Sequence, residues 1–264
     1  MLISALKAIG AVNVDYQATI EGRNAVIEAL RAGRPITKIM LAKGVEPAFS
    51  KTLKGSARAQ GVPVVEVNRS RLDSMSNTLN HQGVIAIGSP VKCYSGSSQI
   101  LQEALTNCDP LFVILDKIQD PHNLGAIIRT CDAVGVTGVI IPKRRSCGIT
   151  GAVAKSSAGA VEYVPCARVP NLAREIDNLK ELGFWIVGMT AQADKTIYEQ
   201  DFSGPLAIVI GSEGKGISSL LMKKCDYLVR IPSKGQVPSL NASVATAVTL
   251  FEVFRQRQQG LQFP

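Results

Sequence analysis

Apolar and polar positions along the chain fall into two successive α/β patterns. In the first, residues 18–31 read as a turn entering a helix. Ala25, Val26, Ala29 and Leu30 share one face, and Gly33 ends it. Ile36 to Ala42 alternates as a strand, residues 47–60 form a helix carrying Lys51, Lys54 and Arg58, and Val62 to Asn68 is a second strand. Arg69 to Asn77 is a short helix and Gly83 to Gly88 a closing strand. This order predicts a small α/β sandwich over residues 18–92, after an N-terminal tail of residues 1–17.

The second pattern starts at Pro110. Apolar runs at Leu111–Leu115, Gly138–Ile141, Phe184–Gly188, Leu206–Ile210 and Leu228–Ile231 predict strands. Between them lie helical stretches at Asn123–Val134, from Gly151, at Leu172–Leu182 and at Ser218–Lys224. Glu162 to Pro165 reads as a short extended piece. Unbroken apolar strands between helices predict a parallel sheet covered on both faces. The irregular loop Ile231–Pro238 then leads into a last helix, Ser239–Phe254, with a small-residue face and Ser239 as its expected N-cap. Ser95 to Ser98 reads as a flexible joint within a linker and leading helix over residues 93–107, so the second domain is expected over 108–264.

A length of 264 residues suits two domains, and 46% hydrophobic residues can fill both cores. No apolar run approaches a membrane span. The first twelve residues are apolar but lack a basic leader and a cleavage site, so no signal peptide is read. The six cysteines contain no Cys-x-x-Cys pair and only two histidines accompany them, which argues against a zinc site and suits a reducing cytoplasm. The net charge of +8 is uneven. Residues 1–95 carry 12 Lys and Arg against 6 Asp and Glu, pointing to a polyanion, nucleic acid first. In that part Arg23, Asn24, His81 and Gln82 form polar clusters beside turns. Arg23 offers a fork of donors for phosphate, and the amides can read base edges or backbone.

Three loops follow strands at their carboxyl ends, where open α/β sheets bind ligands. They are residues 116–129, the glycine-rich 211–216, and 231–241. The second lacks the spacing of a phosphate-binding P-loop, and no dinucleotide fingerprint follows the first strand. Taken together, Asn123-x-Gly-x-x-x-Arg129, Ile210-Gly-Ser-Glu-Gly-x-Gly216 and Ile231-Pro-x-x-Gly-x-x-x-Ser-Leu-Asn-x-Ser-Val-Ala245 resemble the SpoU (TrmH) family of RNA ribose 2′-O-methyltransferases. The first domain, with Glu21-Gly-Arg-Asn-Ala-Val26, is similar to that family's RNA-binding domain in members that modify ribosomal RNA guanosine.

The resemblance implies an α/β/α domain tied in a trefoil knot, S-adenosylmethionine as methyl donor, RNA as partner, and a homodimer formed through the second domain. It places the cofactor at Gly211, Ile231, Leu240 and Thr190. It makes Arg129 the central catalytic group, either clamping a phosphate or setting one beside the hydroxyl as proton acceptor. Asn123 would orient Arg129 or the ribose, Glu213 would hold that arginine or a group of the partner chain, and Ser239 and Asn241 would position the nucleotide. Rival readings are a transfer-RNA methyltransferase and a non-catalytic RNA-binding or ribosome-assembly factor.

Overall fold

The computed structural model describes residues 18–78, 80–104, 109–236 and 239–258. The expected tail, residues 1–17, lies outside them, as does part of the linker. The first domain runs β1 (Ala18–Glu21), α1 (Arg23–Arg31), β2 (Ile36–Ala42), α2 (Pro47–Ala59), β3 (Val64–Val67), α3 (Arg69–Asp73) and β4 (Val84–Gly88). Its sheet has the order β1-β4-β2-β3, antiparallel except between β2 and β3. Ile39, Leu41, Val84 and Ala86 point toward α1 and α2, while Met40, Ala42, Ile85 and Ile87 meet Leu72 of α3 on the other face. Alternate side chains thus serve two layers.

The second domain continues with α4 (Ser98–Ala104), β5 (Leu111–Asp116), α5 (Pro121–Ala133), β6 (Gly138–Pro142), α6 (Gly151–Ser156), β7 (Cys166–Val169) and α7 (Leu172–Glu181). It ends with β8 (Trp185–Met189), β9 (Lys195–Thr196), β10 (Leu206–Gly211), α8 (Ser219–Met222), β11 (Tyr227–Arg230) and α9 (Ala242–Gln258). Among the described residues its sheet has seven strands, all parallel, in the order β7-β6-β5-β10-β8-β11-β9. Leu111, Val113 and Leu115 of β5 pack toward α5, α6 and α9, whereas Phe112 and Ile114 pack toward α4, α7 and α8. Burial on both faces is why these strands carry continuous apolar runs. The trefoil knot that the resemblance implies falls on the C-terminal part of the chain, of which residues 237, 238 and 259–264 lie outside the described residues.

Four expectations are corrected. Residues 18–21 are a strand, not a turn, paired to β4 from Ala18–Gly88 to Glu21–Ile85. The extended piece at 162–165 is displaced: Ala160–Glu162 is a 3-10 turn, and pairing begins where the Pro165 carbonyl accepts from Val139 N at 2.9 Å. The Ser95–Ser98 joint is anchored on both sides. Tyr94 exchanges backbone hydrogen bonds with Cys166 and Arg168 at the sheet edge, and buried Ser97 donates to Glu175. The last helix is capped by Asn241, whose Oδ1 accepts from Ser243 N at 2.9 Å and Val244 N at 3.3 Å, rather than by Ser239.

The two domains are joined by polar contacts. Arg34 Nη1 meets Glu162 Oε1 at 2.8 Å with both side chains only 6% exposed, and Arg34 Nε donates to Ser89 O at 2.7 Å. Tyr163 Oη donates to Glu28 Oε2 at 2.6 Å, and that bond raises its pKa to about 12. At Gly159, φ is +94° and a Cβ would fall 2.5 Å from Glu28 Cβ, so only glycine permits the approach.

Candidate functional site

The carboxyl ends of β8, β10 and β11 and the start of α9 surround a cavity of about 290 Å³. Thr190, Gly211, Ile231 and Leu240, the four positions where the resemblance puts a cofactor, all line it. Its apolar wall comes from residues such as Met189, Ile217 and Ala245, and polar residues of the loops after β8, β10 and β11 line the rest. The β10 loop is folded tightly back on itself. Ser212 O accepts from Gly216 N at 2.8 Å, and a Cβ on Gly211 would come within 2.0 Å of Gly216 C. Gly214 and Gly216 both hold positive φ, at 74° and 62°. This turn lifts the Glu213 carboxylate onto the rim.

Glu213 sits in a network that draws on all three loops. Its Oε1 accepts from Asn123 Nδ2 at 3.0 Å and from Asn241 Nδ2, while Asn241 Nδ2 also donates to Asn123 Oδ1 at 3.0 Å. Each partner is set by its own element. Asn123 lies in the first turn of α5, where Pro121 has no N–H but none is needed by the helix, and which Asp120 caps through His122 N at 2.9 Å. Asn241 is fixed by capping α9. Gly125 lets α5 press on α6, since a Cβ there would lie 1.9 Å from Ser156 Oγ. Ser239 lines the cavity beside Leu240.

Arg129 is placed differently from the sequence expectation of a guanidinium in the same pocket. It lies six residues beyond Asn123, about 9 Å along α5, is exposed, and does not line the cavity. Among the described residues it makes no hydrogen bond or ion pair. The two acidic residues of the same segment are engaged elsewhere: Asp116 accepts from Ser218 N at 2.8 Å and Asp120 caps α5. Among the described residues the arginine that lines this cavity is Arg230, which the motifs did not single out.

In the first domain, Arg23 is partly exposed and bound to Glu46 Oε2 at 2.9 Å, and Asn24 and Gln82 are exposed. His81 is corrected from a surface contact to a buried one. It is 2% exposed, its Nδ1 accepts from Gly83 N at 3.0 Å and its Nε2 lies 2.9 Å from Asp73 Oδ1, so both ring nitrogens serve the turn before β4. Also unmarked from sequence were Lys143, Arg144 and Arg145, three exposed cations immediately after β6 at the rim that carries the other loops. The run of three was the available signal. Among the described residues there is no cluster of metal-ligating side chains, and no helix is long and apolar enough to cross a membrane.

Residues 110–251 match the model of the SpoU rRNA Methylase family, and residues 19–92 match the model described as RNA 2′-O ribose methyltransferase substrate binding. A putative TrmH family tRNA/rRNA methyltransferase of Bacillus subtilis is 45% identical over 237 residues, covering 89% of this chain and 94% of that one. One of Staphylococcus aureus is 48% identical over 241 residues, covering 90% and 96%. The crystal structure of the SpoU methyltransferase AviRb from Streptomyces viridochromogenes, in complex with AdoMet, superposes with a TM-score of 0.76 at 25% identity, covering 92% and 91%. AdoMet-bound rRNA methyltransferase from Sinorhizobium meliloti gives 0.74 at 26%, covering 94% and 88%. Fold and paired domains define an RNA methyltransferase, with a substrate-binding domain ahead of the parallel sheet. The chain belongs to the SpoU rRNA methylase family.

Proposed function

We propose that this protein transfers a methyl group from S-adenosylmethionine to a ribose 2′-hydroxyl of ribosomal RNA, at guanosine, and that it does so as a homodimer in the cytoplasm. The observation that carries the reading is the network of Asn123, Glu213 and Asn241 on the rim of the cavity that Gly211, Ile231 and Leu240 line. The cavity suits an elongated ligand with polar and apolar parts, because its wall is apolar and its loops offer backbone donors and acceptors. When bound, S-adenosylmethionine supplies an electrophilic methyl on a sulfonium centre. The residues of this chain then have to hold the ribose, exclude water and manage one proton.

Glu213 and Asn241 fix the Asn123 amide, so the donor and acceptor sites left on Asn123 keep a defined direction toward a nucleotide. Arg129 is too basic to accept the proton. Its part is to hold an RNA phosphate and favour the developing alkoxide. Because it stands outside its own chain's cavity, in a dimer it would serve the site of the neighbouring copy. Leu240, Val244 and Phe251 form an exposed apolar stripe along the start and one face of α9, at 44%, 47% and 52% exposure, which suits burial against another copy.

Mass-spectrometric mapping of ribose methylation in ribosomal and transfer RNA, with and without the protein, tests the reading. A 2′-O-methylguanosine in the large ribosomal RNA that depends on the protein is the expected result. The relatives are named for both RNA classes, and a mark confined to transfer RNA would overturn the ribosomal assignment.

A further inference from the structure

A second cavity, of about 520 Å³, lies between the two domains and is not used by the reading above. The first domain contributes Asn24, Asn80 and Gln82 to it, and the second contributes His122, Lys155 and Ser156. Asn24 and Asn80 are exposed, and among the described residues their side chains make no hydrogen bond. Gln82 uses its Oε1 to accept from Arg23 N at 3.0 Å, which leaves both amide hydrogens open. Gln82 is also held at φ +54°, a conformation that non-glycine residues adopt at a cost and that clusters at ligand clamps. Gly22 lies against both Gln82 and Lys155 and holds φ +103°, a backbone conformation that glycine adopts readily. Lys155 is positioned by donating to Thr78 Oγ1 at 2.8 Å across the domain boundary.

The chemistry of this lining is selective. A phosphate uses donors only, and one cation would answer it. Three side-chain amides offer donors and acceptors together, which matches the edge of an unstacked base. The location matters as well, because His122 is the residue before Asn123 and so joins this cavity to the rim network.

We propose that the interdomain cavity is a reading pocket for one unpaired nucleobase of the RNA, close along the strand to the nucleotide being methylated, recognised at its edge by Asn24, Asn80 and Gln82 with Lys155 beside its phosphate. The proposal rests on the RNA-methylation reading and names a determinant of its specificity. It also explains why both domains are needed to build the site: an RNA whose neighbouring base is locked in a helix cannot occupy it.

The test uses the full chain and single-stranded RNA nonamers, U4-X-U4, with X as adenosine, guanosine, cytidine or an abasic ribose, followed by fluorescence anisotropy at one salt concentration. The wild type is expected to bind at least one base-bearing nonamer about fivefold or more tighter than the abasic one. Asn24→Ala and Gln82→Gly are expected to bind all four like the abasic RNA. Gln82→Gly relieves the backbone conformation while removing the amide, and unchanged S-adenosylmethionine affinity by calorimetry shows that both variants fold. Equal binding of abasic and base-bearing RNA by the wild type, or full discrimination kept by both variants, would overturn the pocket. Tritium transfer to ribosomal and transfer RNA is scored separately. Base discrimination without any transfer would remove the methylation reading and leave the pocket, whereas transfer without discrimination would do the reverse.

Discussion

The side-chain amide of Asn241 donates to the side-chain oxygen of Asn123 at 3.0 Å, although the two stand 118 positions apart in the chain. Both amides also converge on Glu213 Oε1, so a single carboxylate oxygen registers the first and third loops against the second.

Replacing that carboxylate should therefore cost orientation rather than fold. Glu213→Gln puts an amide where a charged acceptor receives two donors, and hydrogen bonds to charged groups are worth about 1.5–3 kcal/mol. We expect a fall in kcat of about 10- to 100-fold with S-adenosylmethionine affinity within a few-fold of wild type. Single-turnover rates with matched calorimetry check this, and a change in thermal midpoint alone would argue for a structural role.

Arg129→Ala should abolish methyl transfer and leave RNA affinity within a few-fold, since one exposed cation contributes little to polyanion binding by a chain of net charge +8. If Arg129 serves the neighbouring copy, mixing it with Gly211→Val, whose own cavity is blocked, should restore activity in heterodimers. Tritium transfer measured across mixing ratios checks this. No rescue at any ratio would confine Arg129 to its own chain.

Phe251→Asp places a charge in the exposed apolar stripe of α9, at a position 52% exposed in the single chain. The fold should persist and self-association should fail, with methyl transfer lost in parallel. Light scattering coupled to size exclusion reads the mass directly, and an unchanged dimer would place the contact elsewhere.

The buried pair of Arg34 and Glu162 links the two domains. Removing one partner leaves the other charge buried, which typically costs about 3–5 kcal/mol. Arg34→Met should lower the unfolding midpoint clearly, and adding Glu162→Leu should recover much of the loss. Thermal unfolding of the single and double variants, read as a cycle, tests the coupling.

Glu21 has a sign that can be checked against pH. Burial pushes its carboxyl pKa up, but hydrogen bonds from Thr78 and Ser76 hydroxyls and from the Asn77 and Thr78 backbone outweigh that and hold it below the ordinary value. A depressed folded pKa contributes stability above the unfolded pKa, about 4.3, and loses it as pH falls through the folded pKa. The stability difference between wild type and Glu21→Gln should be full at neutral pH and shrink below about pH 4. Urea unfolding at several pH values measures it.

Much of this architecture could be read from the residues alone. β5 and β10 are covered on both faces, so their apolar runs are unbroken and unmistakable. β1 and β7 escaped because four residues, Ala18-Thr-Ile-Glu and Cys166-Ala-Arg-Val, carry too short a pattern to separate from a turn. Thr190, Gly211, Glu213, Ile231, Ser239 and Leu240 share one cavity because strand ends of a parallel sheet open on one side. Where Arg129 points depends on the face of α5 it occupies, which no spacing of motifs states. The interdomain cavity draws on positions 24, 80, 82, 122 and 155, which only packing assembles.

The ion pair of Arg34 with Glu162, together with Tyr163 on Glu28 and Lys155 on Thr78, spans the seam at three points. A chain stitched in this way works as a gauge with fixed jaws. An RNA must bring its recognised feature and its reactive sugar to a set separation, and one that is a few ångströms too short or too long is refused before chemistry starts.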